Sequence, residues 1–151
     1  RLPTVSVRTG QPNLAASSFA SGIIREPLSG QECRVPVRPS TELWLLSPQR
    51  AIENLICGHE LDSAALGLRR SVNLPGLRVS VAEMVNALQR VAGTDPLKYL
   101  NWQHDDAIER IIASWPPGWD SSRALALGFA GDTSFDDIVR AHIAERRSVP
   151  V

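Results

Sequence analysis

Apolar and polar residues alternate at the beginning of the chain. Pro3, Val5 and Val7 are separated by polar or charged positions within residues 1–8, and this period of two predicts a β-strand that begins at the first residue. Domains usually begin with a few loosely held residues. We therefore expect this chain to be part of a longer protein.

Helical spacing replaces the alternation further along the chain. The pattern predicts a helix over 14–26, with Phe19, Ile23 and Ile24 on its inner side and Pro27 at its end. A second helix is predicted to begin at Pro48, with Ser47 as its N-cap. Its predicted apolar face comprises Ala51, Ile52, Leu55 and Ile56.

The remaining elements are shorter. The strands predicted at 33–37 and 42–46 could pair with each other. Strands are also predicted at 71–76 and 98–102, and helices are predicted to begin at Ser80, at Asp105 or Asp106, at Asp120 and at Ser134.

Strands and helices roughly alternate, which predicts an α/β fold. A chain of 151 residues with 43% hydrophobic positions is long enough for a single domain, here residues 1–151. The predicted strands are too few for a complete doubly wound sheet. This is a second indication that part of the fold lies outside the chain.

Charge and cysteine content narrow the classes of partner. The 16 basic and 16 acidic residues balance, which argues against binding to nucleic acid or to an anionic membrane. Cys33 and Cys57 lack the paired spacing of a zinc site. With no apolar run long enough to span a membrane, a reduced, cytoplasmic setting is expected.

Catalytic motifs are not found in this sequence. None of the 10 glycines has the spacing of a dinucleotide-binding turn. Lys98 and Tyr99, the one lysine and the one tyrosine, are adjacent and should point apart, whereas a catalytic pair usually lies four positions apart on a helix. We therefore predict no catalytic residue in this chain.

Clusters that could bind metal or carbohydrate have simpler interpretations. His104, Asp105, Asp106 and Glu109 could hold a metal ion, but they also suit a helix cap and its first turn, so no metal site is predicted. His142 is expected to be a satisfied histidine on an apolar helix face. The four tryptophans, Trp44, Trp102, Trp115 and Trp119, are interpreted as packing residues rather than a carbohydrate platform.

An anion site is predicted after the first strand. Arg8 follows that strand where strand ends border ligand crevices in open α/β sheets. Asn13, Ser17 and Ser18 lie at the start of the next helix, where free backbone amides favour negative charge. Together these side chains could hold a small carboxylate or hydroxy acid, although Arg8 could equally be a plain surface residue.

The chain resembles the C-terminal half of the extended short-chain dehydrogenases, also called the NAD-dependent epimerase/dehydratase family. The resemblance rests on residues 1–8, 72–75 and 120–129 and covers nearly the whole chain. Residues 16–28 and 43–51 resemble, more narrowly, the D-erythronate dehydrogenase branch.

The resemblance implies a function for the parent protein. It implies an α/β substrate-binding portion that lacks most of the Rossmann sheet, and an NAD-dependent parent that oxidises a sugar acid such as D-erythronate. Pro3 and Val5 would border the cofactor and Thr4 the substrate. Thr4 stands where many nucleotide-sugar members have asparagine, which favours a smaller substrate.

Two other interpretations stay open. The parent could be a nucleotide-sugar epimerase or dehydratase, or the chain could be a self-standing binding or assembly module. A homo-oligomer is also left open.

Overall fold

The computed structural model of the protein describes residues 1–11, 13 and 15–148. Its five short strands form two small sheets. In one sheet, β1 runs parallel to β3 and β3 antiparallel to β4. In the other sheet, β2 and β5 are parallel. The strands are β1 (Thr4–Val5), β2 (Cys33–Val35), β3 (Glu42–Leu46), β4 (Leu77–Ser80) and β5 (Leu100–Trp102).

Strands and helices both make up the described residues, which confirms the α/β class. A 3-10 helix, Asp95–Tyr99, precedes β5. The α-helices are α1 (Ser18–Leu28), α2 (Pro48–Glu60), α3 (Ser63–Leu66), α4 (Val81–Ala92), α5 (Asp106–Ala113), α6 (Ser122–Ala126) and α7 (Phe135–Ser148).

The first strand is shorter than predicted. Only Thr4–Val5 pair as a strand, and the expected alternation fails because Ser6 is fully buried. Its hydroxyl donates to the carbonyl of Ala20 at 2.7 Å, which satisfies a polar group inside the core.

Strand pairing also differs from the prediction. The strands at 33–37 and 42–46 do not pair with each other, because β2 pairs with β5 while β3 lies between β1 and β4. Residues 71–76 are not a strand. They lie beside the chain start, where the amide of Leu74 donates to the carbonyl of Arg1 at 3.0 Å.

Helix α1 passes through Pro27 and ends at Leu28, two residues beyond the predicted end. Pro27 is tolerated because the helix finishes there with tighter bonds: the Ser29 amide donates to the Glu26 carbonyl at 2.8 Å and the Gly30 amide to the Pro27 carbonyl at 3.0 Å. The predicted start is also too early, because residues 15–17 form a bend and a turn before the helix begins at Ser18; Leu14 itself lies outside the described residues.

The main core lies among three helices, α1, α4 and the last helix, α7. Ile23 and Ile24 of α1, Met84 and Leu88 of α4 and Val139 of α7 are all fully buried there. Two predictions of burial are wrong. Trp102 is 44% exposed, and the predicted apolar face of α2 points to solvent at three of its four positions.

In the part of the chain that the structure describes, none of the helices has the length and apolar character needed to cross a bilayer.

Candidate substrate and cofactor clefts

A cleft of about 170 Å³ opens beside β1, and we call it the aromatic cleft. Its walls come from the start of the chain, from β3 and from the loop that follows α5. Pro3 and Thr4 therefore meet tryptophans that lie far away in sequence. The lining residues are Leu2, Pro3, Thr4, Glu42, Leu43, Trp44, Trp115, Pro116 and Trp119.

Packing fixes the tryptophans of the aromatic cleft. The rings of Trp44 and Trp119 meet edge to face, with their centroids 6.1 Å apart, and the Trp119 indole N–H donates to the Leu74 carbonyl at 2.8 Å. A Cβ at Gly76 would lie 2.8 Å from the Trp44 indole and 2.9 Å from Cγ of Pro3. Glycine is therefore needed there to bring Trp44 against Pro3.

The aromatic cleft carries little net charge. Glu42 at its edge pairs with Arg78, on the neighbouring strand β4, and the hydrogen bond that Arg78 donates to this carboxylate raises the pKa of Arg78. The remaining wall is mostly aromatic and apolar. Such a surface suits the flat ring of a nicotinamide or the C–H face of a small polyol.

The residues predicted on β1 lie at or near this cleft. Pro3 is buried and Thr4 is half-buried, and both line the cleft. Val5 is half-buried but is not a lining residue. The tryptophans were assigned to packing in the sequence, where positions 44, 115 and 119 show no shared motif; only the folded chain brings them together.

A second cleft of about 560 Å³ contains two more of the predicted residues. Asn13 and Ser18 lie at its edge, and the amide of Asn13 donates to the Ser18 hydroxyl at 3.3 Å. The side-chain carbonyl of Asn13 accepts from the Ala15 amide at 3.0 Å. The lining residues are Asn13, Ala15, Ala16, Ser18, Phe19, Gly22, Glu26, Glu32, Cys33, Arg34, Pro36, Ile108 and Ile111.

The predicted anion site is not assembled as one cluster. Among the described residues that line the two clefts, neither Arg8 nor Ser17 occurs. The backbone of Arg8 is held by the Ser21 hydroxyl, which accepts from its amide at 3.0 Å, and by Arg25, which donates to its carbonyl at 2.9 Å. Arg8 itself is exposed.

The acidic cluster at α5 forms the helix cap that was predicted. The Asp105 carboxylate accepts from the amides of Ala107 at 3.0 Å and Ile108 at 3.2 Å. These hydrogen bonds lower the pKa of Asp105, and the bond from the Ile108 amide has the largest effect. His104 lies between Asp106 and Glu109, 2.9 Å from each carboxylate.

Cys33 and the pair Lys98 and Tyr99 also differ from what their residue types suggest. Burial raises the pKa of the Cys33 thiol to about 12, so this group is protonated at neutral pH and is a poor nucleophile. Lys98 and Tyr99 do not point apart as expected, because the flexible lysine stem places its ammonium 5.2 Å from the centre of the tyrosine ring.

The chain was compared with known proteins by sequence, and it matches two dehydrogenases. No family model matches it. It is 54% identical over 145 residues to D-erythronate dehydrogenase from Cupriavidus necator, covering 96% of this chain. It is 42% identical over 143 residues to D-erythronate dehydrogenase from Haemophilus influenzae, covering 95% of this chain. The chain is homologous to part of D-erythronate dehydrogenase. The predicted resemblance to the extended short-chain dehydrogenases is thereby confirmed.

Solved structures agree with the D-erythronate dehydrogenase match. A nucleoside-diphosphate-sugar epimerase from Agrobacterium tumefaciens superposes with a TM-score of 0.93 at 41% identity, covering 97% of this chain and 43% of that one. L-threonine 3-dehydrogenase from Trypanosoma brucei has a TM-score of 0.83 at 21% identity, covering 96% of this chain and 44% of that one, and shows the fold alone.

The match covers nearly all of this chain but only part of each relative. The chain spans about half their length, 45% of each of the two D-erythronate dehydrogenases. The α/β portion described here corresponds to only part of the fold of these proteins.

Proposed function

We propose that this chain is the substrate-binding part of an NAD-dependent oxidoreductase that acts on a sugar acid such as D-erythronate. The observation that carries the proposal is the meeting of Pro3 and Thr4 with Trp44, Trp115 and Trp119 in one small cleft. The match to D-erythronate dehydrogenase supports the substrate class.

The residues present fit a nicotinamide on one wall of the aromatic cleft. Pro3 is buried against Trp44 with no room for a Cβ at Gly76, which gives a rigid, apolar wall for a flat ring. NAD would accept the hydride there. Val5, one pleat further along β1, would border the same cofactor.

The chain's own polar residues would bind the sugar acid. Thr4 lines the aromatic cleft, and its hydroxyl can donate a hydrogen bond to a substrate hydroxyl or accept one from it. The acid end would be recognised by Arg8, Asn13, Ser17 and Ser18, of which Asn13 and Ser18 line the second cleft. As the resemblance implies, a tyrosine in the remainder of the parent would abstract the proton, assisted by a lysine and a serine.

A chimera tests the proposal. The chain would replace the matching 145-residue segment of the Cupriavidus necator relative, and NADH formation from D-erythronate would be followed. We expect activity, and we expect Trp115→Ala to raise KM at least about tenfold by removing a wall of the aromatic cleft. Trp102→Ala is the matched control, because Trp102 is exposed and does not line the cleft.

Two results would count against the proposal. A folded chimera, verified by its melting transition, that does not oxidise D-erythronate would contradict the substrate class. Equal KM values for the Trp115 and Trp102 variants would remove the aromatic cleft from the substrate site.

A nucleotide-sugar epimerase or dehydratase is the second candidate. The observation in its favour is the similarity to the Agrobacterium tumefaciens epimerase structure. The same chimera incubated with UDP-glucose distinguishes the two candidates, since conversion of the nucleotide sugar in preference to D-erythronate would favour this one. The small volume of the aromatic cleft supports the sugar acid.

A further inference from the structure

The segment that follows β1 is fastened to its neighbours by hydrogen bonds. The Ser6 hydroxyl donates to the Ala20 carbonyl of α1 at 2.7 Å, and the Ser6 amide donates to the Leu46 carbonyl of β3 at 2.9 Å. Two residues later, the Ser21 hydroxyl accepts from the Arg8 amide at 3.0 Å. Because Ser6 and Ser21 are 0% and 1% exposed, water does not compete for these bonds.

Arg25 of α1 adds a charged bond to the same segment. Its Nη1 donates to the Arg8 carbonyl at 2.9 Å, and its Nη2 donates to Oε1 of Glu26 at 2.6 Å. The side chains of Arg25 and Glu26 are only 12% and 8% exposed, and charge-assisted bonds are stronger where water is excluded. Since Glu26 holds one nitrogen of the planar guanidinium, the position of the other nitrogen at Arg8 is fixed as well.

The main chain of Arg8 is bound, but its charge is not. The side chain is exposed, and Arg8 takes part in none of the ion pairs that form among the described residues. Arginines beside the two clefts differ, since Arg34 pairs with Asp105 at 3.1 Å and Arg78 pairs with Glu42. Arg8 therefore keeps its positive charge for the carboxylate of a ligand.

We propose that Arg25 is a positioning residue for recognition of the sugar acid. Together with Ser21, it fixes the main chain of Arg8, so that the Arg8 guanidinium binds the substrate carboxylate at a small cost in conformational freedom. The proposal rests on the proposed function, which assigns the acid end of the substrate to Arg8. Arg25 acts through Arg8 and not on the substrate itself.

A purely structural ion pair is the alternative interpretation of Arg25. The pairing with Glu26 uses Nη2 and would be complete without the bond from Nη1 to Arg8. A lysine at position 25 keeps a positive charge beside Glu26, but one ammonium cannot reproduce the two directions of the guanidinium. Arg25→Lys therefore loosens Arg8 while it retains the charge that balances Glu26.

Steady-state kinetics in the chimera with the Cupriavidus necator relative test the proposal. We expect Arg8→Ala to raise KM for D-erythronate at least about tenfold, through loss of a charge-assisted bond. Arg25→Lys should raise KM about three- to tenfold and change kcat less than about twofold, because it weakens binding without touching the reacting atoms. Ser21→Ala, which removes the other bond to the Arg8 main chain, should act in the same direction.

Arg90→Lys is the matched control for loss of a guanidinium that joins two groups. Arg90 pairs with both Glu83 and Asp136, and it lines neither cleft among the described residues. Its replacement should leave KM unchanged even where it lowers the melting temperature. Equal KM values for Arg25→Lys and Arg90→Lys would assign Arg25 to stability alone.

A double variant shows whether Arg25 acts through Arg8. In a chimera that already carries Arg8→Ala, Arg25→Lys should raise KM no further, because the charge that it positions has been removed. A structural role would instead give an increase of the same size with and without Arg8. That result would overturn the proposal.

Two further measurements do not depend on turnover. Titration calorimetry of the chimera with D-erythronate, in the presence of NADH, gives the dissociation constant, which should rise in Arg25→Lys as KM does. In the chain by itself, the Arg8 amide, followed by NMR, should exchange at least about tenfold faster in Arg25→Lys and equally fast in Arg90→Lys.

These measurements separate the positioning role from the reaction. An unchanged dissociation constant, or an Arg8 amide that exchanges as slowly as before, would remove the role of Arg25 and leave the oxidation of D-erythronate standing. Binding that Arg25→Lys weakens, in a chimera without turnover, would support the role and contradict only the proposed function. A folded chimera that does not bind D-erythronate would contradict both.

Discussion

At the scale of single residues, the buried polar groups of this chain determine how it responds to its environment. His142 has a pKa lowered to about 4 from the usual 6.5, first through burial and then through Arg146 and Arg25. It lines a groove between α2 and α7, which Glu53 and Glu145 also line. The imidazole was expected to be satisfied, and it is buried as expected but has no partner among the described residues.

This histidine should make the fold sensitive to mild acid. Because its pKa is lower in the folded chain than in the unfolded chain, the unfolded state takes up a proton first as pH falls. Stability is therefore complete above about pH 6.5 and is lost progressively between 6.5 and 4, by roughly 3 kcal/mol in all. Urea unfolding at pH 7.5 and 5.0 measures the loss.

The matched variants for this prediction are His142→Leu and His59→Gln. His142→Leu should reduce the difference in unfolding free energy between the two pH values. His59→Gln, at an exposed position in the last turn of α2, should keep the difference seen for the unmodified chain. Equal pH dependence in all three proteins would contradict the assignment to His142.

Two helical glycines should respond oppositely to alanine. A Cβ at Gly22 would lie 3.1 Å from Sγ of Cys33 and 3.2 Å from Oε2 of Glu26, whereas one at Gly58 would lie 3.5 Å from the Phe129 ring. Gly22→Ala should lower the unfolding free energy by about 1 kcal/mol because its neighbours are buried. Gly58→Ala should raise it by about 0.5–1 kcal/mol.

Chemical denaturation measures both alanine variants. A Gly22→Ala protein as stable as Gly58→Ala would show that α1 and β2 separate easily, contrary to the close approach seen between them.

At the scale of elements, local signals were predicted well and pairing was not. The side chains of the N-cap residues Ser47, Ser80 and Asp105 accept hydrogen bonds from backbone amides at the helix starts, as the sequence predicts. Capping can be predicted because it depends on a few adjacent residues. Strand β4 was missed, since a four-residue strand is defined by its partner β3 rather than by its own pattern.

Helix α6 carries an arginine that holds a long connection. The Arg123 guanidinium donates to the carbonyls of Ser71 at 3.0 Å, Leu66 at 2.8 Å and Arg69 at 2.7 Å. Leu68 within that connection is fully exposed, so apolar packing does not hold it. Arg123 therefore holds residues 66–71 against α6 by polar bonds.

Replacement of this arginine should loosen the connection. Arg123→Lys retains the charge but cannot present donors to three carbonyls in one plane. We expect amide exchange in 66–71 to quicken at least about tenfold, measured by mass spectrometry. Arg110→Lys, at an exposed position of α5, is the control and should leave amide exchange in 66–71 unchanged. Equal exchange rates in the two variants would show that Arg123 does not hold this connection.

At the scale of the whole molecule, the candidate site joins segments that are distant in sequence. Position 3 and position 115 show no common pattern, and contacts of such separation are outside what local periodicity can predict. The residues of β1 were nevertheless placed near the cofactor by their resemblance to a family. The sequence thus indicated one wall of the aromatic cleft, and the fold supplied the other.

The chain by itself should produce no NADH. It carries Thr4 and the aromatic cleft, but the proposed function assigns proton abstraction and most cofactor contacts to the remainder of the parent. Incubation of the purified chain with NAD and D-erythronate, followed by absorbance at the NADH band, measures this. Steady NADH production that purifies with the chain would contradict the proposed division of roles.

The exposed apolar face of α2 has an evolutionary consequence. Since hydrogen bonds from Asn54 and Ser47 to residues 130 and 132 set the orientation of the helix, substitutions at 52, 55 and 56 escape selection for the fold of this portion. The residue types accepted at these three positions should instead depend on the surface that packs against them. Among relatives of this chain, changes at these positions should be correlated with compensating changes in another segment, and so record which polypeptide has been the neighbour of α2.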